Sequence, residues 1–151
     1  MRIILLLLIF LTAATVASRA QTVTPTEKQR KDISILIDKY SQAREKRDTN
    51  LLKDILTQDI DQLVSTGEWR NGIDASVKGM LNSSATSPGS RTLTIDRMRL
   101  IDANSAIVDC KYEIQNADGT PRKMWSTFIT VVDKGVWKIS GIRNMLPTGT
   151  R

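Results

Sequence analysis

Arg143 follows an apolar strand pattern made by Val136, Trp137, Ile139 and Ile142. Lys138 marks the wet side of that strand. Alternation then places Trp137, Ile139, Gly141 and Arg143 on the inner face, with Asn144 opposite. A guanidinium there suits a carboxylate or a phosphate, or stacks on an indole; the plainer alternative is a surface ion pair at the strand end. Tyr40 lies on an apolar helix stripe, and its hydroxyl needs a partner, either a ligand or a group of the core. Trp69, in a glycine-bounded loop, reads as a rim residue and Trp125 as a wall residue, although either also suits the core or a dimer seam. Asp96, within Thr94 to Met98, is the acid to consider as a general base, with pairing to Arg97 or Arg99 as the alternative. The ligand-binding candidates are thus Tyr40, Trp69, Trp125, Trp137 and Arg143; Tyr40 and Asp96 are the catalytic candidates.

Absences narrow the chemistry. The 151 residues contain no histidine, which removes Ser-His-Asp triads, His-ligated zinc and the usual neutral-pH base. The single cysteine, Cys110, permits no internal disulfide. It sits among Ala106, Val108, Tyr112 and Ile114 at alternating spacing and reads as a buried, inert thiol. No glycine-rich phosphate loop follows a strand, and no carboxylates cluster at metal-binding spacing, so neither metal nor cofactor is expected. The basic residues of the first helix interleave with Glu27, Asp32, Asp38 and Glu45, a solvated face rather than a nucleic-acid surface.

The N-terminus reads as a targeting signal. Met1-Arg2 precedes an unbroken apolar run from Ile3 to Leu11, too short for a membrane span, which needs roughly 20 apolar residues. Small residues follow, and Ser18-Arg19-Ala20 places the cut after Ala20, with Ala17 as the alternative. Residues 1–20 are therefore expected to be a signal peptide and 21–151 a single exported domain, periplasmic or secreted. Cleavage removes Arg2 and Arg19 and lowers the formal charge from +6 to +4. About 130 residues remain, enough for one core, with nothing later that is long and apolar enough to cross a membrane.

These residues need helices and strands to hold them. Thr24-Pro25-Thr26-Glu27 reads as a helix start with Thr24 as cap, and Ile33, Leu36, Ile37, Tyr40 and Ala43 form the apolar stripe behind it. Asp48 caps a second, short helix carrying Leu51, Leu52, Ile55 and Leu56. Ile60, Gln62 and Val64 suggest a short strand before a loop at Gly67 to Gly72. Ile73, Val77, Met80 and Leu81 suggest a third helix, and Asn82 to Ser90 a loop. Strands are expected at about 91–101, 105–116, 122–132 and 136–144, joined by short turns. Helices followed by a long meander argue for an α+β domain with helices on one face of a curved antiparallel sheet.

Tyr40-Ser41-Gln42-Ala43, the Arg47-Asp48 joint, Leu51 to Leu56, Trp69-Arg70-Asn71-Gly72 and Gly135-Val136-Trp137-Lys138-Ile139 occur in an order that resembles the nuclear transport factor 2-like superfamily, and within it the SnoaL-like group. The likeness spans roughly residues 27 to 147. It implies a cone-shaped roll, three N-terminal helices packed on a strongly curved sheet and open at one end to a cavity, with homodimers formed through the outer sheet face. In the steroid isomerases of that superfamily a tyrosine precedes the aspartate that starts the second helix by eight residues, a spacing that Tyr40 and Asp48 reproduce. The base position falls near Val64 or Ser65 and the late-strand acid near Trp125, and none of these is an acid. Three functions stay open: binding of a small apolar or aromatic ligand in the cone; an isomerase, cyclase or hydratase using Tyr40 as electrophile and Asp96 as base; and a non-catalytic dimerisation module.

Overall fold

Helix α1, Glu27–Lys46, starts at Thr26, whose hydroxyl accepts from the Gln29 backbone N–H at 3.2 Å while the Gln29 side chain accepts from the Thr26 N–H at 2.9 Å. The capping box therefore lies two residues beyond the Thr24–Glu27 reading, because Gln29 also reaches the Ala103 carbonyl at 3.2 Å and ties the helix to a turn of the sheet. Arg47 adopts the left-handed conformation (φ 55°) and closes α1. The Asp48 carboxylate then accepts from the Leu51 N–H at 2.9 Å and opens α2, Thr49–Ile55. The computed structural model describes residues 24–147, and the expected signal segment with its cleavage point lies outside them.

The remaining elements are β1 (Leu56–Leu63), β2 (Trp69–Asn71), α3 (Ile73–Thr86), β3 (Gly89–Asp102), β4 (Ser105–Asn116), β5 (Pro121–Asp133) and β6 (Val136–Met145). The strands form one open sheet in the order β2-β1-β6-β5-β4-β3, with the three helices beside it. This is the expected α+β roll, with one difference: β1 runs parallel to β6, so the sheet is mixed rather than wholly antiparallel. The four long strands match the sequence reading to within two residues at either end. Trp69–Asn71 is a strand rather than a loop, pairing with Asp61 to Leu63.

Helix α3 continues to Thr86, through serines that read as a loop. Arginines from elsewhere satisfy carbonyls at its end. Arg91 donates to the Ser87 carbonyl at 2.7 Å and to that of Ser83 at 3.5 Å, and Arg47 donates to that of Ser84 at 3.4 Å. Cations at a helix C-terminus also meet the negative end of its dipole. That long-range help offsets the poor helix propensity of serine.

Alternation along β4 and β5 turns Val108, Cys110, Tyr112, Met124, Ser126 and Phe128 toward the helices. Phe128, fully enclosed, meets the Tyr40 ring edge-on with centroids 5.1 Å apart. Among the register shifts of the sheet, two displace candidate residues. In β3, Ile95 pairs with Cys110 and Arg97 with Asp109, leaving Asp96 as the extra residue. In β6, Gly141 pairs with Ile129 and Ile139 with Thr130, leaving Ser140 as the extra residue. Ile139 and Ile142 are consequently both buried, three positions apart on one strand.

Phe128→Ala should lower the unfolding free energy by about 3–5 kcal/mol, the usual effect of deleting an enclosed aromatic ring, as read by urea denaturation. A loss below about 1 kcal/mol would place the ring outside the core.

Candidate functional site

The Ser140 bulge inverts the facing of everything after it. Arg143 points to the outer face of the sheet, not into the cone, and Asn144 points inward. Arg143 grips Asp61 with both terminal nitrogens, at 2.9 Å to each carboxylate oxygen, and its guanidinium lies 4.7 Å from the Trp69 ring centroid. Gly141 gives that carboxylate its berth, since a Cβ there would stand 3.1 Å from Asp61 Oδ1. Arg143 is thus a stitch across β6, β1 and β2.

The other candidates also take new roles. Trp125 is on the outer face, with the Lys111 ammonium 5.8 Å from its ring centroid, and so does not wall the cone. Asp96, pushed outward by its bulge, pairs with Lys111 at 2.9 Å rather than facing a site as a base. Trp137 packs against the core beside a surface groove lined by Leu36, Leu51 and Ile55, away from the cone mouth. Tyr40 is buried, and its hydroxyl accepts a hydrogen bond from Arg44 Nη1 at 2.8 Å, so its partner is a side chain of the protein. Trp69 is 52% exposed and stands at the rim of a second groove.

What sequence reading missed is the chamber beneath that second groove. It holds about 30 Å³, room for a few waters at most. Arg44, Arg70 and Arg122 line it, with Gln62, Tyr112 and Asn144. Outside, a groove of about 640 Å³ runs past Trp69, Lys78 and Asn82 and shares Ser65, Arg70 and Arg122 with the chamber. Val64 and Ser65, at the position of an isomerase-type base, line both spaces and supply no acid.

Arg44 dominates the chamber. It is 4% exposed, its Nε donates to Ser84 Oγ at 3.2 Å and its Nη1 to the Tyr40 hydroxyl. Among the described residues no carboxylate pairs with it. Burial works against its charge, but Tyr40 and Tyr112 together outweigh that and hold its pKa above the ordinary value. Burial also pushes the Tyr112 phenol up, against the pull of Arg44 and Arg91, so the phenol remains a neutral donor. Asn144 accepts from Ser126 Oγ at 2.7 Å through its amide oxygen, which leaves its NH₂ group as a donor. The lining is rich in donors and cationic. Apart from its spacing on the α1 stripe, four residues beyond Tyr40, nothing in the sequence distinguished Arg44 from the surface arginines around it.

Arg70 separates chamber from groove. Its Nε donates to Glu68 Oε1 at 2.8 Å and its Nη1 to Gln62 Oε1 at 3.4 Å. The side chain lies across Gly79 of α3, where an added Cβ would come within 2.6 Å of Arg70 Cδ. The Arg70 hydrogen bond, then its charge, lowers the Glu68 pKa. The pair is therefore intact above the ordinary carboxylate range and is lost as pH falls through the depressed value.

The fold is that of the nuclear transport factor 2-like proteins. Similar solved structures include a nuclear transport factor 2-like protein of unknown function from Shewanella oneidensis MR-1, with 18% identity and a TM-score of 0.67 over 77% of this chain and 98% of that one. A domain of unknown function with a cystatin-like fold from Nostoc punctiforme PCC 73102 has 12% identity and a TM-score of 0.74 over 83% of this chain and 81% of that one. A nuclear transport factor 2-like protein with a cystatin-like fold from Novosphingobium aromaticivorans has 16% identity and a TM-score of 0.70 over 82% and 84% respectively. No family model and no curated protein matches the sequence. Likeness at this level defines the fold, and the chemistry has to come from the site.

Cys110 is enclosed as expected, and burial followed by the Asp109 and Asp96 charges pushes its thiol up to about 12. At pH 8 the native protein should resist a thiol-reactive dye and take up one equivalent in urea. Native labelling at the rate of a free cysteine would contradict this burial.

Proposed function

We propose that the protein is an exported, non-catalytic domain that binds a small molecule at the open end of its cone. One observation carries this reading: side chains from both long helices and all the strands but β3 converge on the groove and the chamber it narrows into. Much of the cone is filled by Tyr40, Met80, Phe128 and Ile142, so the ligand occupies the mouth and not a deep cavity. Trp69, Ile114 and Met124 supply apolar and aromatic surface there. An acid–base isomerisation is the weaker reading, because Glu68, the carboxylate at the mouth, is engaged with Arg70 and neither Tyr40 nor Asp96 faces the space.

The proposal includes self-association through the outer sheet face. Ile107, Trp125 and Ile129 lie half-buried there between ion pairs, a mixture suited to a second copy of the same face.

Native mass spectrometry of the protein purified from its own host should show a bound small-molecule mass. Amide resonance shifts on adding that molecule should centre on Val64 to Arg70, Ser83 and Arg122. Shifts centred on the Trp137 groove, or on the outer face, would overturn the assignment to the mouth.

A further inference from the structure

Arg44 poses a question that packing alone does not answer. A guanidinium this deeply enclosed ordinarily sits against a carboxylate, since an unpaired buried charge is costly. Here two of its donors reach the neutral hydroxyls of Tyr40 and Ser84, and it borders open space in the chamber. Arg122 and Arg70 line the same space, while Tyr112 and Asn144 add neutral donors. Among the described residues the chamber lining contains no aspartate or glutamate. Gln62 is the member with an acceptor oxygen aimed at a cation, and Arg70 occupies it. A space with several convergent donors and three arginines, of which Arg70 alone is paired with a carboxylate among the described residues, is complementary to an anion.

We propose that the ligand of the cone mouth is a small organic carboxylate, whose anionic head enters the chamber to pair with Arg44 and whose body lies in the outer groove. This rests on the mouth being the binding site and adds the chemical class. The chamber is small enough to demand a compact head group, and the guanidinium edge presents parallel N–H groups that match a two-oxygen acceptor. The groove outside, with Trp69 at its rim and Lys78 and Asn82 along it, has room for an aromatic or aliphatic body.

Arg70 is the gate. In the present arrangement it is held between Glu68 and Gln62 and lies on the bare backbone of Gly79, which narrows the passage between groove and chamber. An incoming carboxylate competes with Glu68 for the Arg70 guanidinium. Exchange of one carboxylate partner for another lets Arg70 swing from wall to ligand, and returns the exposed Glu68 carboxylate to water. Gly79→Ala tests this directly, because alanine favours the helix while its methyl occupies the Arg70 berth.

The test uses the full-length mature protein and matched probes: acetate, benzoate and phenylacetate, their three primary amides, and inorganic phosphate. Binding is followed by titration at constant ionic strength through the arginine side-chain N–H and the Ser83 and Asn144 resonances. The expected result is saturable binding of at least one carboxylate at the mouth, with its amide weaker by about tenfold to hundredfold, the range for losing a charged hydrogen-bonding partner. Arg44→Met, which keeps the volume, should weaken the carboxylate by a similar factor and the amide by less, so that the preference for the carboxylate is lost. If that variant fails to fold, Arg122→Gln at the exposed rim and the carboxylate–amide comparison on the unaltered protein carry the test. In Gly79→Ala, the Arg70 Nε–H resonance should shift before ligand is added, and carboxylate association should change in rate.

Equal affinity for a carboxylate and its amide would overturn the anion inference and leave the mouth as a binding site for neutral molecules. Binding of phosphate alone would overturn the carboxylate class in favour of phosphate recognition. No perturbation at the mouth by any probe would overturn both the inference and the reading it rests on. A Gly79→Ala protein with an unmoved Arg70 would remove the gate.

Discussion

A single buried guanidinium ties the helices of this fold to its open end. Arg44 reaches from α1 to Ser84 of α3 and back to Tyr40 on its own helix, and it borders the chamber that β4, β5 and β6 complete. Its charge has to be kept solvated by the protein, because water reaches it only through a narrow space. Several features follow from that requirement. Tyr40 turns its hydroxyl toward Arg44 while its ring seals the core against Phe128. The serine-rich end of α3 stays helical, so that Ser84 is held in reach. Tyr112 and Asn144 present polar groups where neighbouring positions on their strands are apolar.

Arginine is used repeatedly at this end of the molecule, in three distinct ways. Arg91 and Arg47 complete the C-terminus of α3. Arg143 clasps Asp61 on the outside and covers Trp69, joining β6, β1 and β2 by side-chain contacts. Arg44 and Arg70, with Arg122 at the exposed rim, line the chamber and leave it a surplus of positive charge. In the last group Arg44 has no carboxylate partner among the described residues and borders open space. The distinction between structural and available arginines is therefore drawn by their partners, not by their residue type.

The fold was largely legible in the chain because its signals are local. The apolar stripe of α1, the Arg47-Asp48 joint and the alternation of β4 and β5 all survive in the structure. The site was much less legible. Two of its errors trace to one inserted residue in each of two strands: Ser140 turned Arg143 out and Asn144 in, and Asp96 was itself the bulge. A bulge leaves no mark in the pattern when the residues around it are already mixed, as in Ile139-Ser140-Gly141-Ile142. Arg44 was missed for a different reason. One more arginine on a helix of interleaved charges looks solvated until the partner helix and sheet are placed against it.

The central claim is that the charge of Arg44 is matched by the ligand and not by the protein. A crystal structure of the protein grown with phenylacetate tests it most directly. The account predicts a carboxylate within hydrogen-bonding distance of the Arg44 guanidinium, with Arg70 lifted from Gly79 and turned toward the ligand. Phenylacetate bound elsewhere, with Arg70 still against Gly79 and the chamber holding only water, would contradict it.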